Sequence, residues 1–153
     1  GTIRFVGSGT LNTSTETATA INFDPSPVAL IAKGDYSPLK DKSATFNDFI
    51  FNPFNPGELW TVTLNSITYS FDMNTLNITK QTSSTLVLEG HGFAKITGFD
   101  NTPGTWQIST SGSEGSTDFT FSSTATVVPE PSTLLLLGLG IVSLAGFRMR
   151  SRK

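Results

Sequence analysis

The 153 residues give room for one ordinary domain and little more, and 37% apolar content with twelve Phe and two Trp suffices for a packed core, which excludes a disordered chain. The formal charge of -2 is divided unevenly: residues 1–128 carry six basic against eleven acidic side chains, and residues 129–153 four basic against one acidic. With no Lys/Arg cluster in the acidic body, nucleic-acid recognition is excluded; with no cysteine, so are disulfides, thiol nucleophiles and Cys-ligated metal sites.

Ser and Thr supply 37 of the first 128 residues, a bias that suits strand surfaces and turns. In chain order, strands are expected over residues 3–6, 19–23, 28–32 and 44–51. Clusters of turn formers divide them, notably Asp24-Pro25-Ser26-Pro27 and Asn52-Pro53-Phe54-Asn55-Pro56-Gly57. The clearest alternation follows. Trp60, Val62 and Leu64 alternate with Thr61 and Thr63, then Ile67, Tyr69 and Phe71 with Thr68 and Ser70, and only Asn65-Ser66 lies between. A two-residue hairpin pairs Leu64 with Ile67, and Asn tolerates the positive φ that such a turn demands.

Further strands are expected over residues 76–80, 85–89, 93–97 and 106–110, with Asp100-Asn101-Thr102-Pro103-Gly104 as a turn. In the last strand Phe119, Phe121, Ala125 and Val127 alternate with Thr120, Ser122, Thr124 and Thr126. The body shows neither sustained helical periodicity nor an internal repeat. The expected fold is all-β: an antiparallel β-sandwich, jelly-roll-like, over residues 1–127, followed by one C-terminal transmembrane helix within a tail of residues 128–153.

Candidate chemistry in the body is sparse. His91, the only histidine, sits in Glu89-Gly90-His91-Gly92 without a nucleophile elbow or second imidazole, and is read as a loop residue between strands. Asp24, Asp35, Asp41, Asp48, Asp72, Asp100 and Asp118 lack calcium-loop spacing; Asp72-Met73-Asn74 and Asp100-Asn101 are read as turn formers. Trp60, Trp106, Tyr36 and Tyr69 are candidate sugar-stacking aromatics. Trp60, Tyr69 and Trp106 fall on apolar strand faces and are assigned to the core, whereas Tyr36 lies in the polar stretch Lys33-Gly34-Asp35-Tyr36-Ser37 and escapes that objection. The sequons at Asn12 and Asn77 matter only in a eukaryotic secretory route. No cofactor and no metal site is expected.

The end of the chain is more specific. Residues 134–147 hold no charge and one hydroxyl, Ser143, and they lead into Arg148, Arg150, Arg152 and Lys153. Leu134, Leu135, Leu136, Leu137, Leu139, Ile141, Val142, Leu144 and Phe147 form the anchor of a helix over 133–147, and the basic cluster is its cytoplasmic stop. Fourteen helical residues span roughly 21 Å, short of a hydrocarbon core of about 30 Å, so the anchor is marginal. A buried core helix is the competing reading, which the terminal charges oppose. Just before it, Pro129-Glu130-Pro131 enforces an extended segment of the kind a protease grips.

Pro129-Glu130-Pro131, the apolar helix and the basic end together resemble the PEP-CTERM sorting signal of Gram-negative bacteria. The resemblance implies export, an inner-membrane intermediate, recognition by an exosortase near the motif, and delivery to the cell surface or matrix of cells that make extracellular polysaccharide. The Leu-Pro-x-Thr-Gly signal of a sortase tail and the polar spacer of a lipid-anchor signal are absent. Members of the family begin with a secretory signal peptide, so Gly1-Thr2-Ile3-Arg4 is read as the start of a fragment or processed chain. Leu59-Trp60, Thr68-Tyr69-Ser70-Phe71-Asp72 and Thr97-Gly98-Phe99-Asp100 through Trp106 are similar to stretches of small surface proteins of that family with no assigned function. The expected function is a non-enzymatic exported surface or matrix protein, with extracellular polysaccharide as a candidate partner; a carbohydrate-binding module or a glycan-acting enzyme is the alternative.

Overall fold

The structure, a computed structural model, describes residues 1–111 and 116–125. These residues form eleven strands: β1 (Thr2–Leu11), β2 (Ala20–Phe23), β3 (Val28–Lys33), β4 (Thr45–Phe46), β5 (Phe49–Ile50), β6 (Gly57–Leu64), β7 (Ile67–Met73), β8 (Asn77–Gln81), β9 (Thr85–Ile96), β10 (Thr102–Ser111) and β11 (Ser116–Ala125). One short 3-10 helix, Gly34–Leu39, follows β3. The anchor helix over 133–147, the extension of the last strand to Val127 and every predicted residue of the sorting tail lie outside the described residues.

The all-β, antiparallel architecture expected from the alternation is present. In place of two separate sheets, hydrogen bonds link the strands into one sheet in the order β4-β6-β7-β9-β10-β11-β1-β2-β5, with β3 beside β1 and β8 beside β9. The sheet is curled, and the chain itself shows why. β4 and β5 stand at opposite ends of that path, yet only Asn47 and Asp48 separate them. The single strand expected over 44–51 is therefore two strands that cross from one end of the sheet to the other. Asn47 is held by β6, its amide donating to the Leu59 carbonyl at 2.8 Å and its Nδ2 to the Glu58 carbonyl at 3.0 Å. Asp48 is held by β2, its Oδ1 accepting from the Phe23 amide at 2.7 Å.

Inside the curl, aromatic rings from opposite ends of the path meet. Phe46 of β4 lies 5.1 Å from Phe23 of β2, 5.3 Å from Phe5 of β1 and 5.7 Å from Phe121 of β11, ring centre to ring centre. Phe5 also lies 5.0 Å from Trp60 of β6. Tilted and edge-on pairs of this kind add about 0.5–1.5 kcal/mol each to the burial of the rings themselves. The hairpin at Asn65-Ser66 forms as the alternation demands: Leu64 pairs with Ile67, and both turn residues have positive φ, 51° and 65°. A bulge between Glu58 and Trp60 turns both Leu59 and Trp60 inward, which the period of two could not predict.

Candidate functional site

β9 and β10 give the molecule its longest registered ladder, from Thr102↔Ala94 to Ser111↔Thr85. One face of it turns inward with Leu86, Leu88, Trp106, Ile108 and Thr110. On the other face the pairs run His91 with Thr105 and Glu89 with Gln107, continuing onto β11 as Thr124 and Ser122. The two strands expected over 85–89 and 93–97 are thus one, and His91 is a strand residue rather than a loop residue.

The reason lies in its glycines. A Cβ on Gly90 would stand 2.0 Å from the Thr75 carbonyl oxygen, and one on Gly92 2.1 Å from the Asp72 carbonyl oxygen, so glycine marks close backbone approach here, not a turn. That approach fixes His91. Its carbonyl accepts from the Asn74 amide at 2.9 Å, the Thr75 amide at 3.1 Å and Trp106 Nε1 at 3.2 Å, and its own amide donates to Thr75 Oγ1 at 2.9 Å. With its backbone so held, the exposed imidazole is presented on the outer face beside Thr105.

Two open depressions adjoin this pair. One, of about 430 Å³, is polar and lined by Asn77, Glu89, Gln107, Ser122 and Thr124 along with His91 and Thr105. Within it Gln107 Nε2 donates to Glu89 Oε2 at 3.4 Å. The other, of about 290 Å³, is lined by Asn74, Phe93 and Pro103 and shares His91 and Thr105 with the first. Phe93, 39% exposed, gives this depression an apolar wall. A further depression of about 400 Å³ lies where the sheet ends meet, lined by Asp48, Phe49, Ile50, Glu58 and Met73. Its two carboxylates already serve the fold: Asp48 as above, and Glu58 Oε1 accepting from Asn47 Nδ2 at 3.4 Å. The outer face of β9 and β10 is the better candidate site.

Other sequence candidates fall elsewhere. Trp60, Tyr69 and Trp106 are core residues, as expected. Tyr36 is the correction: the 3-10 helix turns it inward to 0% exposure, 6.1 Å from Trp60, and burial, with the negative charge of Asp35 second, pushes its phenol up to about 12. Asp72 is not a turn former; it lies in β7 and forms an ion pair with Lys95 of β9. Among the described residues no group of three or more His, Asp or Glu side chains could hold a metal ion, and no helix is long and apolar enough to cross a membrane. A lone Phe in a strand reads as core, and only the ladder register, which sets Phe93 opposite Pro103, places it on the outer face.

Fold and site together define an all-β domain that presents a mixed polar and apolar face to solvent. The family model of the PEP-CTERM protein-sorting motif matches residues 127–153, so the chain carries that motif directly after β11. The motif implies export and exosortase-mediated sorting to the cell surface of a bacterium. No curated protein and no solved structure matches the chain.

Proposed function

We propose that the β domain is a non-enzymatic component of the cell surface or extracellular matrix, delivered by the tail and held in place by association with envelope or exopolysaccharide. The sorting motif at residues 127–153 is the observation that carries this reading. The body supports it. Its solvent face is built from hydroxyl and amide side chains on ladder strands, and its one imidazole faces Thr105 rather than a carboxylate across the strand pair. Pro129, Glu130 and Pro131 are assigned as the processing motif, Leu134 to Phe147 as the temporary membrane anchor, and Arg148, Arg150, Arg152 and Lys153 as the cytoplasmic stop.

The test is replacement of Pro129-Glu130-Pro131 by three alanines in a host that has the exosortase. The variant is expected to accumulate uncut in the inner membrane while the wild type reaches the surface. Equal processing of both would remove the sorting assignment.

A further inference from the structure

We infer that the two depressions on either side of the His91–Thr105 pair form one elongated groove that binds an uncharged glycan segment. This rests on the surface-delivery reading above and adds a ligand class and the residues that select it.

Four observations carry it. The depressions share His91 and Thr105, so they adjoin across the strand pair and a ligand longer than either would contact both. Their chemistry differs end to end: Glu89, Gln107 and Asn77 offer acceptors and donors in planar groups, whereas Phe93 and Pro103 offer flat apolar surface. A sugar ring has both faces of that description, hydroxyls around its rim and C–H bonds across its plane, and aromatic rings supply the matching surface. Among the described residues no Lys or Arg lines the groove and Glu89 is its one acid, and the first 128 residues are six basic against eleven acidic; these repel a polyanion. Finally, β9 and β10 are interior strands over this span, with β7 and β8 beyond β9 and β11 beyond β10. Their main-chain donors and acceptors are therefore committed to the ladder, which leaves no edge for a peptide to extend and holds the side chains preorganised for a ligand.

The experiment is affinity gel electrophoresis of the full chain in mild detergent. Hydroxyethylcellulose, xyloglucan, dextran and galactomannan serve as neutral polymers and alginate as an acidic one. Retardation by at least one neutral polymer and none by alginate is expected. Phe93→Ala and Gln107→Ala, both exposed positions, should each weaken that retardation tenfold or more, with unchanged circular dichroism and Tm. Asp41→Asn, on a remote exposed loop, should leave it unaltered. Absence of retardation by every neutral polymer overturns the inference, as does retardation by alginate alone or full retention in both groove variants. Normal surface delivery combined with no glycan binding would remove the groove assignment and leave the sorting assignment standing; failed processing of the wild type would do the reverse.

Discussion

Replacing Tyr36 by Phe should make the protein more stable, and increasingly so as the solution becomes alkaline. The ring is fully buried, and among the described residues neither its hydroxyl nor the nearby Trp60 indole N–H finds a hydrogen-bond partner. A buried hydroxyl left unpaired costs about 1–3 kcal/mol. Tyr36→Phe removes that cost and keeps the ring, so we expect a gain of about 1–2 kcal/mol at pH 7, or roughly 3–8 °C in Tm for a domain of this size. The alkaline part follows from the phenol's pKa, about 12 in the folded protein against 10.0 when unperturbed. Between those values the unfolded chain has lost the proton and the folded chain still holds it, so wild-type stability falls as pH rises through this window. The loss reaches roughly 2 kcal/mol at pH 12. The variant lacks this contribution, so its advantage over the wild type should widen from pH 9 to 12 by that amount. Urea unfolding at fixed pH values between 7 and 12, followed by circular dichroism on both proteins, measures it. A variant less stable than the wild type at pH 7, or an advantage that stays constant through the window, would refute the reasoning.

Gly90→Ala should cost roughly 3 kcal/mol or more in urea unfolding, because the added Cβ meets backbone, the Thr75 carbonyl, at 2.0 Å rather than a movable side chain. Ser66→Gly should raise stability by up to about 1 kcal/mol, since Ser66 holds φ 65° and glycine adopts the left-handed region without strain. Asp48→Ala should lower Tm by the loss of about 1–2 kcal/mol at the seam, and Asp48→Asn, which keeps an oxygen for the Phe23 amide at 2.7 Å, should recover most of it.

What the sequence revealed about the body follows the reach of a period-two pattern. Where one face is apolar and the other carries hydroxyls, as in β6, β7 and β11, the strands could be read directly, and between β6 and β7 the Asn65-Ser66 turn with its Leu64–Ile67 pair as well. Where neighbouring backbone approaches a strand, the pattern misleads. Gly90 and Gly92 look like a loop around His91 until Thr75 and Asp72 are seen against them. Residues 44–51 look like one strand because only Asn47 and Asp48 separate β4 from β5, and a change of partner leaves no mark on alternation. Tyr36 misled for a further reason. Its polar sequence neighbours predict exposure, yet the 3-10 helix sends Asp35 and Ser37 outward and the phenol ring into the core. The groove was invisible because its lining comes from separate stretches of the chain, Asn74 and Asn77 around the start of β8 and alternate residues of β9, β10 and β11, which only the strand pairing brings together.

Sorting and ligand contact are assigned to separate parts of the chain, and the topology gives a mechanical reason why they need not interfere. β11, which leads into the matched motif, is an interior strand, registered with β1 from Thr2↔Thr124 to Ser8↔Asp118 and with β10 from Gly104↔Ala125 to Ser111↔Asp118. At its end the Ala125 amide donates to the Gly1 carbonyl at 3.0 Å, and the Gly1 amino group donates back to the Ala125 carbonyl. A pull directed along β11 from the tail loads two antiparallel ladders at once, in shear, instead of peeling one ladder bond by bond from a free edge. The inward side chains of β11, Phe119 and Phe121, are locked among Phe5, Phe23 and Phe46, so the strand cannot slide without breaking the aromatic core. Force on the tail should therefore leave the strand register, and with it the groove that β11 helps to line through Ser122 and Thr124, as it was.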